Sequence, residues 1–169
     1  MTNINIKVEP MDDDADKAAL YHYTLSGLNN YWLTPELYEI GEYEGEETIR
    51  FVDLDDVHVA IGMHICEMRR PLGPREIRFL RGELGYSQTQ LGHALGYKDK
   101  QTVLKAERVN DKREALATTA DLYLRALYLG MLVQRPLIGG GGGQDALELS
   151  QAVARPIHAI DDMDYRIAA

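Results

Sequence analysis

Lys100, Gln101, Thr102 and Lys105 carry the donors and acceptors that read base edges in double-stranded DNA. Lysine donates to guanine O6 and N7, glutamine pairs with adenine, and threonine serves either role, at ~1–3 kcal/mol per good contact. Three consecutive residues followed by a fourth one turn later suit the N-terminal end of a helix lying in the major groove. A second set is expected to meet phosphates: Ser87, Gln88, Lys98, Lys112 and Arg113. Ser87 and Gln88 open a helix of their own, and helix N-termini attract anions.

Other chemistries find weaker footing. His58 and His64 are six residues apart and fall on different helix faces, and His22 and His93 have no ligand spacing beside them. The single cysteine, Cys66, excludes an internal disulfide and a multi-cysteine zinc site, and it sits in an apolar run as a small core residue. Glu42, Glu44, Glu46 and Glu47 crowd one turn, where clustered carboxylates are usually just solvated. There is no nucleophile motif, phosphate loop or acid–base pair. The chain is therefore expected to be no enzyme and to need no metal or cofactor.

Charge is distributed to match the DNA reading. The net charge of −9 hides a basic middle: residues 69–113 contain 11 Lys/Arg against 5 Asp/Glu. Residues 1–68 contain 3 against 15, and residues 114–169 contain 4 against 7. Phosphate binding follows local positive potential, so the middle can hold DNA while the acidic flanks do something else. No apolar run approaches the ~20 residues of a membrane helix, and the acidic N-terminus has no signal-like core. A cytoplasmic protein is expected.

The elements that must position the reading residues follow in order. Arg75 to Glu83 forms a first helix with Ile77, Leu80 and Leu84 on one face, ended by Gly85. Ser87-Gln88-Thr89-Gln90 is a capping box that opens a second helix to Leu95, and Gly96 is placed for a left-handed C-terminal residue. Asp99 caps a third helix from Lys100 to Val109, with Val103 and Ala106 facing inward. Two short helices joined by a tight glycine turn, with a buttressing helix before them, make a helix-turn-helix.

The stretch LGYSQTQLGHALGYKDKQTVLKAERVN resembles the Xre/Cro-type regulators: a Gln opening helix two, Leu-small-x-x-Leu-Gly, then Thr-Val followed by Glu-Arg. The resemblance implies an ion pair between Arg81 and Glu107. Gly92, Ala106 and Val109 depart from the common pattern, and Lys98-Asp99-Lys100 lengthens the turn by one residue. A second, broader resemblance is to MqsA-type antitoxins, carried by Tyr21 to Leu33, Asp53 to Ile61 and the helix-turn-helix. Those proteins hold zinc through cysteines that this chain lacks.

The expected fold is mainly α: an Xre-type helix-turn-helix helical domain with a small N-terminal α+β module, a short antiparallel sheet plus a helix. Residues 1–19 read as an acidic flexible tail, and 20–70 as the α+β module that binds a partner. Residues 71–138 read as the DNA-binding and dimerisation domain, and 139–169 as a glycine linker and flexible tail. The aromatic set Tyr21, Tyr23, Tyr31, Trp32 and Tyr38 suits sheet packing, and Asp55 or Asp56 can cap the helix that follows the sheet. Leu116, Ala120, Leu124, Leu127 and Met131 form one helical stripe, expected to close the core or to make a homodimer matched to a palindromic operator. The functional expectation is a repressor of the antitoxin type that autoregulates its operon and binds a basic toxin. A phage-like or stand-alone regulator, whose N-terminal module senses or dimerises, stays open beside it.

Overall fold

A computed structural model of the chain describes residues 7–11, 19–109, 116–139 and 165–168. Two compact units divide it: residues 1–61 with 160–169, and residues 62–159. The division falls between Ile61 and Gly62, inside a helix, rather than between residues 70 and 71. The expected mainly α fold is corrected to a mixed α+β one, since six strands in two sheets accompany five α-helices among the described residues.

The first unit holds β1 (Lys7–Pro10), β2 (Tyr21–His22), β3 (Tyr31–Leu33), β4 (Tyr38–Tyr43), β5 (Glu46–Phe51) and β6 (Tyr165–Ala168). Four strands form one sheet in the order β1-β6-β3-β2. β6 runs antiparallel to β1 and parallel to β3, with Val8 facing Ile167 and Trp32 facing Arg166. Segments at both chain ends, read as tails, therefore each contribute a strand. Their pairing partners lie at opposite ends of the sequence, where no local pattern could reveal them.

The run Tyr21–Leu33 is a pair of short strands around a turn at Thr24–Asn30, with Gly27 at φ +77°. Tyr31 and Leu33 point inward and Trp32 between them is half-buried, the period-two alternation of a strand with one covered face. β4 and β5 make a separate two-stranded ribbon in which Ile40 faces Ile49 and Glu42 faces Glu47. Its two-residue turn puts Glu44 at φ +53° and Gly45 at φ +82°, the paired left-handed conformations of a type I′ hairpin. Aromatic rings fill the space at its base: Tyr21 lies 5.4 Å from Tyr38 and 5.6 Å from Phe51, and Tyr23 meets Phe51 edge-on at 5.5 Å. Tyr23, Leu28, Leu33, Leu37, Val57 and Ile61 complete this core.

Helix α1 (Leu54–Glu67) starts where the Asp53 carbonyl accepts from the amides of Asp56 and Val57. The second unit takes its last turns and adds α2 (Pro74–Glu83), α3 (Gln88–Ala94), α4 (Gln101–Ala106) and α5 (Thr118–Gly139). Ile65, Ile77, Leu80, Leu91, Val103, Leu124 and Tyr128 form its core. Arg125, buried on α5, pairs with Asp121 at 2.7 Å and donates to the carbonyls of Ile65, Cys66, Met68 and Arg70. Those carbonyls belong to the end of α1 and the loop after it, where helices leave acceptors unsatisfied. Asp121 in turn accepts from the Leu72 amide at 2.7 Å.

The stripe expected to close the core or to make a homodimer divides by burial. Leu116, Ala120 and Leu124 are buried inside the unit, and Leu127 and Met131 are half-buried. The i, i+4 stripe of α5 first has to close its own core, and among the described side chains of this helix Leu122, Tyr123 and Val133 are the large hydrophobic ones that stand well exposed.

Candidate nucleic-acid interface

The helix-turn-helix is assembled from two repeated local devices. At the end of α2 the Gly85 amide donates to the Gly82 carbonyl and the Tyr86 amide to the Arg81 carbonyl. At the end of α3 the Gly96 amide donates to His93 and the Tyr97 amide to Gly92. Both are Schellman endings, and Gly85 at φ +67° and Gly96 at φ +81° supply the left-handed residue each needs. The capping box opens α3: the Ser87 hydroxyl accepts from the Gln90 amide at 3.2 Å, and the Gln90 side chain accepts from the Ser87 amide at 2.8 Å.

Glu107, buried just past α4, holds the three helices together. Arg81 of α2 donates to it through Nε at 2.6 Å and Nη2 at 3.2 Å. Gln88 of α3 donates its side-chain amide to Oε2 at 2.8 Å, and Arg78 donates to the Glu107 carbonyl at 3.0 Å. Arg81 also reaches the Tyr86 carbonyl at 2.8 Å, fixing the α2–α3 turn. A buried carboxylate with several charge-assisted donors is tightly oriented. The pose of α4 is thereby fixed relative to α2 and α3.

Lys98, Lys100, Gln101 and Lys105 are exposed, Thr102 is half-buried, and Val103 and Ala106 are buried on the opposite side. α4 is shorter than the expected Lys100–Val109: Lys100 precedes its first turn, and Asp99 Oδ1 accepts from the Gln101 amide at 2.7 Å. Ser87 is exposed, with its hydroxyl engaged in the cap. Gln88, read as a phosphate partner, is half-buried with its amide on Glu107. Lys112 and Arg113 lie outside the described residues. Arg78 and Arg108 were absent from the sequence-based set, yet both are exposed cations beside Glu107 or next to it in the chain. Their sequence signal was only the general excess of arginine over 69–113.

Gly92 and the longer turn explain each other. A Cβ on Gly92 would lie 2.7 Å from the Asp99 carbonyl oxygen, so the loop before α4 packs directly on the α3 backbone. An alanine, usual there in the family that this stretch resembles, would push that loop away.

Burial pushes the Cys66 thiol up to about 12, with Arg125 opposing, so it stays protonated and poorly reactive. Among the described residues no group of three His, Cys, Asp or Glu side chains could hold a metal ion. Also among them, no helix is long and apolar enough to cross a membrane. No protein-family model, curated protein or solved structure matches the chain.

Proposed function

We propose that this chain is a sequence-specific double-stranded DNA-binding repressor, without catalytic activity, that acts in the cytoplasm as a homodimer. One observation carries the reading: exposed Gln101 and Lys105 on α4, with exposed Lys100 immediately before it, belong to an element whose pose is set by Glu107 against α2 and α3. A helix of this size fits the major groove of B-DNA, and residues at its first turn and one turn on reach base edges. In this reading Thr102 assists at the groove edge, while Lys98, Lys112 and Arg113 meet phosphates.

The acidic first unit supports a finer assignment, an antitoxin that autoregulates its operon and binds a basic toxin. The 1–68 stretch, most of which belongs to this unit, opposes a basic partner in charge and would steer the encounter. The pairing surface of the homodimer is assigned to the exposed side of α5, around Leu122 and Tyr123.

The test is a gel-shift titration on the DNA upstream of the gene at several salt concentrations. Lys100→Ala and Gln101→Ala are each expected to weaken specific binding roughly tenfold or more. Lys98→Ala should weaken all sequences alike and flatten the salt slope by about one unit. Unchanged binding by the Lys100 and Gln101 variants would overturn the assignment of α4 as the reading helix.

A further inference from the structure

We propose that the outer edge of β4, Ile40 to Tyr43, accepts an extended strand from a basic protein. The inference rests on the reading of the first unit as a partner-binding module and names the element that does the binding.

The ribbon β4–β5 has two strands only, so each strand keeps one edge unpaired by the other described strands. The register decides which groups face outward. With a two-residue turn, Tyr43 and Glu46 exchange hydrogen bonds, as do Gly41 and Thr48, and Glu39 and Arg50. Ile40 and Glu42 therefore direct their amides and carbonyls away from β5, toward an incoming strand. Residues 39–48 are all exposed, so this edge is covered by no described part of the first unit.

Exposed edges are normally protected by charged side chains, proline or a bulge. β4 has no proline and no bulge, since Tyr38 to Tyr43 reads YEIGEY and pairs with β5 in unbroken register. Its charges are the carboxylates of Glu39 and Glu42, which guard against an acidic strand and not a basic one. It does offer apolar side chains on both faces, Ile40 at 62% exposure and Tyr43 at 68%. Strand addition uses both features, main-chain bonds for affinity and alternate side chains for specificity.

Charge selects the occupant. The hairpin Tyr38–Phe51 carries five glutamates, Glu39, Glu42, Glu44, Glu46 and Glu47, against Arg50 alone. A second copy of this edge would bring carboxylate rows together, which disfavours self-pairing. Nucleic acid is repelled for the same reason. A strand carrying Lys or Arg is attracted, and its cation beside Glu42 would relieve the unfavourable Glu42–Glu47 pair across the ribbon.

The probe is a synthetic alternating peptide, Thr-Lys-Val-Arg-Val-Lys-Val-Arg-Thr, with an otherwise identical peptide carrying Glu in place of Lys and Arg. Each is titrated into the full chain, followed by fluorescence anisotropy and by amide hydrogen exchange. The basic peptide should bind and slow exchange at Ile40 and Glu42, and the acidic one should not. Ile40→Lys, which places a cation on the edge, should weaken binding roughly tenfold. Protection at Glu47 and Ile49 instead, no protection at all, or equal binding of both peptides would each overturn the proposal. So would protection of Ile40 and Glu42 that rises with protein concentration before peptide is added, because that indicates a second copy. Titrating the same unmodified preparation with upstream DNA keeps the readings apart. A DNA shift without peptide binding removes the edge assignment alone, and peptide protection without a DNA shift removes the repressor reading alone.

Discussion

The two units are held by different forces. All four buried charged residues among those described, Glu76, Glu107, Asp121 and Arg125, lie in the second unit. The first unit is held by rings instead: Tyr21, Tyr23, Tyr38 and Phe51 cluster, His22 stacks on Trp32 at 4.3 Å, and the Tyr23 hydroxyl bonds His58 Nε2 at 2.7 Å. Ring packing tolerates small sliding, whereas a buried ion pair with fully used oxygens permits one geometry. Under the proposed function, a unit that presents α4 at a fixed angle benefits from the second kind of bond, and a unit that receives a protein partner can work with the first.

Removing Arg125 should break this contrast most forcefully. Arg125→Met keeps much of the side-chain volume but leaves Asp121 buried without its cation and takes the guanidinium donor away from four carbonyls. A loss of ~3–5 kcal/mol is expected, measured by chemical denaturation. The double variant Arg125→Met with Asp121→Leu should recover part of it, since the stranded charge is gone. If the single variant costs less than a surface substitution, the buried pair is not what fixes the second unit.

Acid should act on the same unit. Burial pulls His64 down to about 4, with the Glu76 carboxylate opposing and the Arg70 guanidinium adding to the shift. Between the ordinary value of 6.5 and about 4, the unfolded chain takes up a proton that the folded chain refuses. Stability from this group is complete above 6.5 and falls on acidification, by about 2 kcal/mol at pH 5. Denaturation midpoints at pH 7.5 and pH 5 measure it. The His64→Phe chain should lose that part of the slope; an unchanged slope would assign the acid sensitivity elsewhere.

The second unit was also the more legible one, for reasons tied to particular residues. Ser87 and Gln90 are three apart, and Gly85 and Gly96 end their helices through bonds spanning five residues or fewer, so short-range chemistry was enough. The Arg81–Glu107 pair was readable only through the family resemblance. Gln88 on Glu107, 19 residues away, and Arg125 on Ile65, 60 away, had no local signature. The α5 stripe was visible as a period but not as a destination, because core and dimer faces use the same spacing. In the first unit, pairing of residues 7–10 with 165–168 escaped for the same reason of distance.

Gly92→Ala tests whether the longer turn before α4 is tied to the α3 backbone. The added methyl would meet the Asp99 carbonyl oxygen at 2.7 Å, and backbone yields less readily than a side-chain tip. A cost of ~1–3 kcal/mol is expected from such overpacking. DNA affinity should fall further than stability, because the shift moves Lys100 and Gln101 directly. Equal losses in a mutant such as Leu91→Ala, which lacks that link, would show that α4 responds to general loosening and not to this contact.

The smallest effect belongs to the first unit and runs in the opposite direction. Glu44 holds φ +53° at the first turn position of the β4–β5 hairpin, a conformation that asparagine adopts more readily than glutamate. Glu44→Asn should therefore stabilise the hairpin by about 0.5–1 kcal/mol, seen as slower amide exchange at Tyr43 and Glu46. It also removes one carboxylate from the acidic tip. If that carboxylate serves partner binding, the variant gains hairpin order and loses affinity for the basic peptide at low salt, with the difference fading as salt rises. Gain in both would mean that Glu44 is only a suboptimal turn residue, and would confine the binding role to the β4 edge itself.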